Sequence, residues 1–239
     1  MSDNNPDFID YWNAWGLSPD EFNEIFNNNE NVYSALFGYL SEKRVTERYF
    51  RNNEKITNLQ SPRDHDTSKK GDIIFDYKGE EIIIEVKSLD TQPGDIQITD
   101  DMNGERKYMG TVQMRESDYI ERTLQTGETI ETSLIEIGLF DILAVNMFEY
   151  FDEYKFMFAR SEDLTRSDVH PRLIASSPEA KYPPEINEHV DYRENPFELI
   201  EEIIEERNRG GKKGENQDER EQDQSELKSE DTSLQDFTD

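Results

Sequence analysis

Residues 71–88 read GDIIFDYKGEEIIIEVKS. Two runs of β-branched, aromatic and acidic residues lie on either side of Lys78-Gly79, and such runs are typical of β-strands. A dipeptide that ends in glycine, such as Lys78-Gly79, between two strand-like runs is the signal of a two-residue turn. The stretch therefore predicts a β-hairpin, around which the rest of the fold is arranged.

The two-residue turn also predicts the register of the hairpin. With Tyr77 paired to Glu80, Asp72 lies directly opposite Glu85, and facing residues have Cβ atoms roughly 5 Å apart on one face. Lys87 follows Glu85 by two positions and shares that face. The other face is uniformly apolar and consists of Ile73, Phe75, Tyr77, Ile82, Ile84 and Val86. We expect the sheet to bury the apolar face and to present two carboxylates and an ammonium together on the other.

Two carboxylates beside an ammonium suit the metal-dependent hydrolysis of phosphodiester bonds. Hard oxygen ligands select Mg²⁺, with Mn²⁺ as the alternative ion, and such sites keep several waters. The metal makes a bound water a better nucleophile and stabilises charge on the scissile phosphate. Lys87 can orient or deprotonate that water and help to hold the transition state. A Glu-x-Lys pair also occurs on ordinary solvated sheets, so the pattern leaves a structural role open.

Gly71-Asp72 before an apolar strand, followed by a tight turn and Glu85-Val86-Lys87, resembles the PD-(D/E)XK nucleases, a superfamily of restriction-endonuclease-like proteins. The resemblance covers a helix near 38–49, the hairpin and, more loosely, the strands to about residue 164. It implies an α/β fold with a restriction-endonuclease-like mixed central sheet flanked by helices. It also implies a Mg²⁺-dependent endonuclease that cuts DNA, of a restriction or defence type.

The family's catalytic positions fall on Asp72, Glu85, Lys87 and, on the preceding helix, Glu42, with the metal on the first two. If the helix row Gly38, Glu42, Val45 and Tyr49 packs on the hairpin, Glu42 should face these residues. No proline precedes Asp72, as in many members of the family. Weaker similarity to uncharacterised bacterial and archaeal restriction-endonuclease-like proteins extends to Val112–Asp118, Phe140–Val145 and Arg160–Leu164.

Other polar residues are weaker candidates. Gln113, on a predicted strand, could contact the metal-bound water or the substrate backbone, and Ser117 and Arg122, in a predicted polar loop, could contact phosphate. A sheet edge or a solvated loop carries the same residue types, so all three could be structural. Asp141 lies in an apolar strand, where a carboxylate needs a partner, and suits a structural role as well as a catalytic one.

Patterning elsewhere predicts further elements. Ser18-Pro19-Asp20-Glu21 is a capping box that begins a short helix, and a longer helix is expected over about 31–51. Residues 52–71 and 90–109 are expected to be irregular. Further strands are expected at Thr111–Arg115, Ile130–Ile137, Phe140–Phe148 and Lys155–Arg160, and a last helix near Pro196–Arg207.

The length of 239 residues suits one domain with extensions. We expect a nuclease-like domain over 1–207, made of N-terminal helices in 1–53, a catalytic sheet region in 72–164 and a C-terminal segment in 165–207. Residues 208–239 carry few large apolar side chains and are expected to form a disordered acidic tail. The chain contains no cysteine, which excludes disulfides and thiolate sites.

The net charge of −29 is unusual for a protein that binds DNA, which normally carries a basic face. The tail accounts for −5, so the expected folded part carries −24. One interpretation is adaptation to a salty cytoplasm, where the Debye length falls to roughly 3 Å at 1 M salt. The other is that the chain mimics nucleic acid or contacts a basic partner. The active-site motif favours the first interpretation.

We expect DNA as the partner, with a homodimer as one form of assembly, and no membrane, since neither a signal segment nor a membrane-length apolar stretch is present. A cytoplasmic location follows as the default. Two alternatives remain open: a nuclease fold kept as a non-catalytic binding module, and an acidic interaction protein that occupies a basic surface.

Overall fold

The computed structural model describes residues 14–62, 71–90, 97–100 and 104–209, with only the backbone for 116–118. The fold is mixed α/β, with a mixed central sheet and few helices. The helices are α1 (Pro19–Asn27), α2 (Glu30–Val45), which continues into a π-helical turn (Thr46–Phe50), α3 (Phe148–Phe151) and α4 (196–209). The strands are β1 (Ile56–Gln60), β2 (Ile73–Tyr77), β3 (Glu80–Ser88), β4 (Gln97–Asp100), β5 (Arg106–Thr111), β6 (Arg115–Thr123), β7 (Thr129–Leu134), β8 (Ile142–Asn146), β9 (Phe156–Arg160) and β10 (Glu179–Tyr182).

The predicted hairpin is confirmed in both turn and register. Lys78 and Gly79 have φ angles of 54° and 87°, the positive values of a two-residue hairpin turn whose twist matches that of the strands. β2 and β3 are antiparallel, and Tyr77 pairs with Glu80 and Ile73 with Ile84. Asp72, one residue before Ile73, therefore lies across from Glu85.

The hairpin supplies two strands of a five-stranded sheet with the order β1-β2-β3-β8-β9. β3 and β8 run parallel, with Glu85 beside Leu143 and Lys87 beside Val145, and the other neighbours are antiparallel. The carboxyl ends of β3 and β8 consequently lie at the same edge of the sheet. Two smaller sheets, β10-β5-β4 and β6-β7, complete the strands of the described residues.

Both faces of the central sheet are covered. The apolar face of the hairpin packs with β8, β9, the end of α2 and α4 in one core, as expected. A second core covers the opposite face of β8 and β9, and Ile83 of the hairpin packs against it. The sequence pattern did not predict this second core: all five residues of β8 are buried, as in a strand that lies centrally in a sheet and is covered from both directions.

The N-terminal helices begin as predicted. The Ser18 side chain accepts a hydrogen bond from the Glu21 backbone N–H, and Glu21 accepts one from the Ser18 N–H, which completes the capping box. The longer helix starts at Glu30 and packs against β3. Its last turn, Thr46–Phe50, is π-helical, and Val45 and Phe50 enter the first core.

Several short strands escape the sequence pattern. β1 lies in the expected loop 52–71, β4 and β5 lie in the expected irregular segment 90–109, and β10 lies among prolines. β1 and β4 are polar edge strands, and all four residues of β4 are exposed. Such strands are stabilised by pairing with a neighbour and carry no apolar alternation of their own.

Two predictions concern segments outside the described residues. α4 extends to residue 209, two residues into the expected tail, and the rest of that tail is not described. Residues 63–70 before the hairpin are likewise outside the description. Within the described part, no helix has the length and apolar character needed to cross a membrane.

Candidate functional site

Asp72 is held in place by the backbone of the hairpin. Its N–H donates to the Ile84 carbonyl at 2.9 Å, and its Oδ2 accepts a hydrogen bond of 2.7 Å from the Val86 N–H. Gly71, just before it, has a φ of +82°, and a Cβ at this position would lie 2.4 Å from the Ile83 side chain. A glycine is therefore required for the chain to turn into Asp72.

Glu85 and Lys87 project from β3 toward the side of Asp72. Lys87 Nζ lies 2.6 Å from Glu85 Oε1, in a pair whose side chains are 28 % and 15 % exposed. Burial alone would lower the pKa of the Lys87 ammonium, but the charges of Glu85 and Asp72, the hydrogen bond to Glu85 and the charge of Glu42 outweigh it and raise that pKa. Lys87 is thus held as a cation.

Glu42 reaches the same group from helix α2. Burial, followed by repulsion from Asp72 and then Glu85, raises the pKa of its carboxyl to about 7, and the charge of Lys87 only partly offsets this. The expectation that Glu42 faces the hairpin residues is met. We call Glu42, Asp72, Glu85 and Lys87 the carboxylate cluster. Fully ionised, it carries three negative charges and one positive charge.

A buried polar network fixes α2 to the end of the sheet beside the cluster. Asn146, at the carboxyl end of β8, donates from Nδ2 to Ser41 Oγ at 2.8 Å, and Ser41 Oγ in turn donates to the Phe37 carbonyl. Ser88 Oγ lies 3.4 Å from Ser41 Oγ. Ser41 precedes Glu42 and Ser88 follows Lys87, so the network sets the spacing between the two. Sequence analysis missed it, although an asparagine that ends an apolar strand is a detectable signal.

The cluster borders a cleft of about 490 Å³. Its lining combines three members of the cluster, Glu42, Asp72 and Lys87, with other acidic, aromatic, basic and small side chains, whereas Glu85 is not part of it. The other lining residues are Glu30, Tyr33, Ser34, Phe37, Gly38, Ser41, Val86, Ser88, Leu89, Asp90, Gln113 and Arg115. A larger cavity of about 880 Å³ lies among residues 182–198 and contains no member of the cluster. The chemistry of the cleft makes it the better candidate site.

The cluster fits a hydrated magnesium ion. Within the described ranges, no three His, Asp or Glu side chains converge to hold a metal ion by themselves. Magnesium sites that act on phosphate, however, commonly use one or two carboxylates and several waters. Asp72 and Glu85 supply such oxygens, and a cation would relieve the repulsion that raises the pKa of Glu42. The donor set is therefore compatible with Mg²⁺ or Mn²⁺.

The remaining predicted contacts are only partly brought to the site. Gln113 lines the cleft, but it lies between β5 and β6 and not on a strand. Ser117 and Arg122 belong to strand β6 and not to a polar loop, because β6 pairs with β7 as a two-stranded ribbon. The Ser117 side chain lies outside the description, and Arg122, opposite Ile130, is not part of the cleft lining. Arg115, which lines the cleft, was missed.

Asp141 has a structural environment. Its Oδ2 accepts the Ile83 N–H at 2.9 Å, and its Oδ1 lies 2.5 Å from an Arg207 guanidinium nitrogen. The pair connects the start of β8 to β3 and to helix α4. Both carboxylate oxygens are engaged, and Asp141 does not line the cleft.

Comparison of the chain with protein-family models, with curated proteins and with solved structures found no match. The functional proposal below accordingly depends on the geometry of the cleft and on the motif that the hairpin carries.

Proposed function

We propose that this chain is a Mg²⁺-dependent endonuclease that hydrolyses DNA phosphodiester bonds, of a restriction or defence type, with a PD-(D/E)XK nuclease fold. The observation that carries the proposal is the register of the hairpin. It sets Asp72 across from Glu85, with Lys87 on the same side and Glu42 facing them from helix α2. An ordinary Glu-x-Lys pair on a solvated sheet is not expected to lie beside two further carboxylates, here Asp72 and Glu42, that line a cleft.

Each member of the cluster has a distinct role in this proposal. Asp72 and Glu85 would hold the metal, which would supply positive charge that polarises the scissile phosphate and activates a water. Lys87, kept charged by its neighbours, stabilises the negative charge that develops on the phosphate oxygens, and its raised pKa favours this role over that of a base. Glu42, whose partly buried carboxyl lies beside the pair that would hold the metal, is placed to accept the proton of the attacking water.

Cleavage of plasmid DNA tests the proposal directly. Wild-type protein should convert supercoiled plasmid to nicked and linear forms with Mg²⁺ or Mn²⁺ and not with EDTA. Glu85→Gln should abolish this activity. Glu201→Gln is a matched control, because Glu201 also pairs with a hairpin lysine, Lys78, but at the opposite end of the hairpin. Activity that survives Glu85→Gln would contradict the assignment.

Metal binding gives an independent measurement. An ion that binds only the folded state stabilises it, and 1 kcal/mol shifts the Tm of a domain of this size by about 2–4 °C. We expect millimolar Mg²⁺ to raise the Tm of wild-type protein by a few degrees and that of Asp72→Asn by less. Asparagine keeps an acceptor for the Val86 N–H, so the substitution removes charge with little loss of structure.

The acidic surface favours one other candidate, an interaction protein that binds a basic partner. Besides the net charge of −29, the cavity among residues 182–198 is lined by five carboxylates, which belong to Glu185, Glu188, Asp191, Glu194 and Glu198. If neither DNA nor RNA is cut with Mg²⁺ or Mn²⁺ at any salt concentration, and neither is bound, this candidate replaces the nuclease; binding without cleavage would instead favour the non-catalytic binding module.

A further inference from the structure

One part of the cleft lining is aromatic. Tyr33 and Phe37 lie one turn apart on helix α2, with ring centroids 5.7 Å apart and planes only 8° from parallel. Tyr33 is 38 % exposed, and both residues border the cleft together with Glu42 and Asp72. Phe37 contacts Phe148 on its other side. Flat apolar rings thus lie within the same cleft as the carboxylates proposed to act on a phosphodiester.

The aromatic row continues into a cationic one. The Tyr154 ring lies 6.1 Å from that of Phe37, and the Arg44 guanidinium carbon lies 5.8 Å from the Tyr154 centroid. Arg48 donates to the Tyr154 carbonyl at 2.6 Å. Along α2 and its π-helical extension, the rings of Tyr33 and Phe37 come first and the guanidinium groups of Arg44 and Arg48 follow. The Tyr154 ring, from the segment before β9, lies between Phe37 and Arg44. We call these five residues the stacking row.

Two members of the stacking row, Arg44 and Arg48, belong to a basic segment of an otherwise acidic chain. Residues 43–55 contain five basic and two acidic side chains, a net charge of +3, whereas the chain as a whole carries −29. Arg44 is half exposed, so its guanidinium is accessible to a phosphate. The basic segment begins directly after Glu42 of the carboxylate cluster.

Charge and size both disfavour a double helix as the occupant. Duplex DNA carries one negative charge per about 1.7 Å of its axis, whereas a single strand carries one per about 3.4 Å. An acidic protein therefore repels a duplex more strongly than a single strand. One short basic segment offsets a smaller share of the repulsion for the duplex than for the single strand. A cleft of about 490 Å³ lies in the size range of pockets that enclose small ligands and can take a nucleotide. Stacking of bases on aromatic rings supplies affinity that does not depend on charge.

We propose that the cleft binds single-stranded DNA, with unpaired bases stacked on Tyr33, which Phe37 supports from behind, and with the backbone leaving the cleft toward Arg44, which lies outside the lining. This assignment rests on the proposed nuclease function and specifies its substrate class as unpaired DNA. Intact duplex is then a poor substrate, cut where strands are separated.

Binding is measured first, on the full chain without metal, by fluorescence anisotropy of a labelled oligonucleotide. The single strand should bind at least tenfold more tightly than the duplex of the same sequence. Replacing its central bases by abasic sites keeps the phosphates and removes the π faces. This should weaken binding by wild-type protein about 5- to 150-fold, the range for loss of one base–aromatic stack.

Variants of Tyr33 identify the surface that binds the bases. Tyr33→Leu keeps an apolar side chain beside Phe37 without a π face, and should bind normal and abasic strands equally weakly. Tyr33→Phe should retain wild-type binding. Tyr39→Leu is the matched control, because Tyr39 lies on the same helix, is 48 % exposed and does not line the cleft. Thermal unfolding of each variant verifies that the fold is kept.

Cleavage with Mg²⁺ separates this assignment from the proposed function. Faster cutting of single strands supports both, whereas faster cutting of duplex overturns the assignment and leaves the nuclease intact. Selective binding of single-stranded DNA without any cleavage overturns the nuclease and supports the binding site. Equal affinity for normal and abasic strands, or tighter binding of RNA of the same sequence, overturns the assignment.

Discussion

Glu42 and Asp141 are two partly buried carboxylates that border the same strand, β3, and their surroundings are opposite. Asp141 is next to Arg207 and accepts a backbone N–H, so its negative charge is balanced. Glu42 lies beside Asp72 and Glu85, and the charge of Lys87 offsets their repulsion only in part. Burial is the largest cause that raises the pKa of both carboxyl groups. At Asp141 the Ile83 N–H and Arg207 oppose it most strongly, ahead of repulsion by Glu81 and Glu162, whereas at Glu42 repulsion by Asp72 and Glu85 adds to it.

The difference separates charge that stabilises the fold from charge that is available for chemistry. A satisfied ion pair lowers the cost of burying its members, whereas an excess of like charge costs stability and is retained where a ligand compensates it. By this criterion the Asp141–Arg207 pair is part of the architecture, and the carboxylate cluster, with three carboxylates and one ammonium, is a candidate for chemistry. Substitutions at the two places should therefore have different consequences.

The largest effect is expected at Lys87. Lys87→Met should reduce the cleavage rate at least about a hundredfold, the usual cost of losing one group that stabilises transition-state charge. Some stability should be lost as well, because Glu85, only 15 % exposed, is left without its cation, so rates are compared well below the Tm of each protein. Initial rates on plasmid DNA with Mg²⁺ measure this. Lys78→Met, which removes the lysine that pairs with Glu201, is the control and should keep wild-type rates.

At the Asp141–Arg207 pair we expect the opposite, a larger effect on stability than on the cleavage rate. Arg207→Met leaves a buried carboxylate without its cation and the Glu81 carbonyl without its donor, so we expect a loss of about 1–2 kcal/mol in the free energy of unfolding. Cleavage at temperatures well below the Tm should stay within twofold of wild type. Urea denaturation measures the loss. Arg209→Met is the control, because its pair with Glu205 is fully on the surface and should contribute little. A larger effect on catalysis than on stability would remove the distinction between the two places.

The hairpin was predictable from sequence because its determinants are local. Lys78-Gly79 dictates the turn, the turn dictates the register, and the register places Asp72 across from Glu85. The orientation of Glu42 toward the hairpin was predictable as well, because residues three and four positions apart in a regular helix share a face, and this helix is 16 residues long.

Non-local pairing explains what sequence analysis missed. β4 carries four exposed residues and forms only because β5 lies beside it, so no periodicity marks it. Arg122 was assigned to a loop because the polar sequence of β6 hides a strand whose partner, β7, lies beyond a turn. The Asn146–Ser41 hydrogen bond joins residues 105 positions apart, and such contacts become visible only when α2 and β8 are brought together.

A smaller effect concerns the pH dependence of stability at Glu42. Its pKa rises from a usual value of 4.5 to about 7 in the folded, metal-free protein, so folding favours the protonated form. This contribution is fully present below about pH 4.5 and is lost as the pH rises through 7. The full change corresponds to about 3 kcal/mol, and solvent screening at a half-buried group reduces the expectation to about 1–2 kcal/mol.

Glu42→Gln should remove this dependence. Relative to wild type, the variant should gain about 1–2 kcal/mol of stability between pH 4.5 and 8 in the presence of EDTA, as measured by urea denaturation across the range. Glu30→Gln is the matched control, because Glu30 lies on the same helix and borders the same cleft. Parallel profiles for wild type and Glu42→Gln would mean that the carboxylates do not repel each other as the geometry indicates.

The smallest effect, a change of a few-fold in rate, is expected from salt, and it joins the local excess of charge at the cluster to the charge of the whole chain. Nucleases with basic surfaces lose affinity steeply as salt rises, because their cations displace counterions from phosphate. Here added salt first screens the repulsion between an acidic protein and DNA, with a Debye length of about 10 Å at 0.1 M and about 3 Å at 1 M. Cleavage should therefore hold or rise through moderate salt before it declines, in initial rates at fixed Mg²⁺.

The later decline should come from the basic segment, so Arg44→Gln should flatten it while lowering the rate at every salt concentration. Melting curves at the same salts distinguish screening at the cleft from stabilisation of the fold. A steep loss of activity from the lowest salt upward would show that the contacts of residues 43–55 with phosphate outweigh the field of the remaining carboxylates.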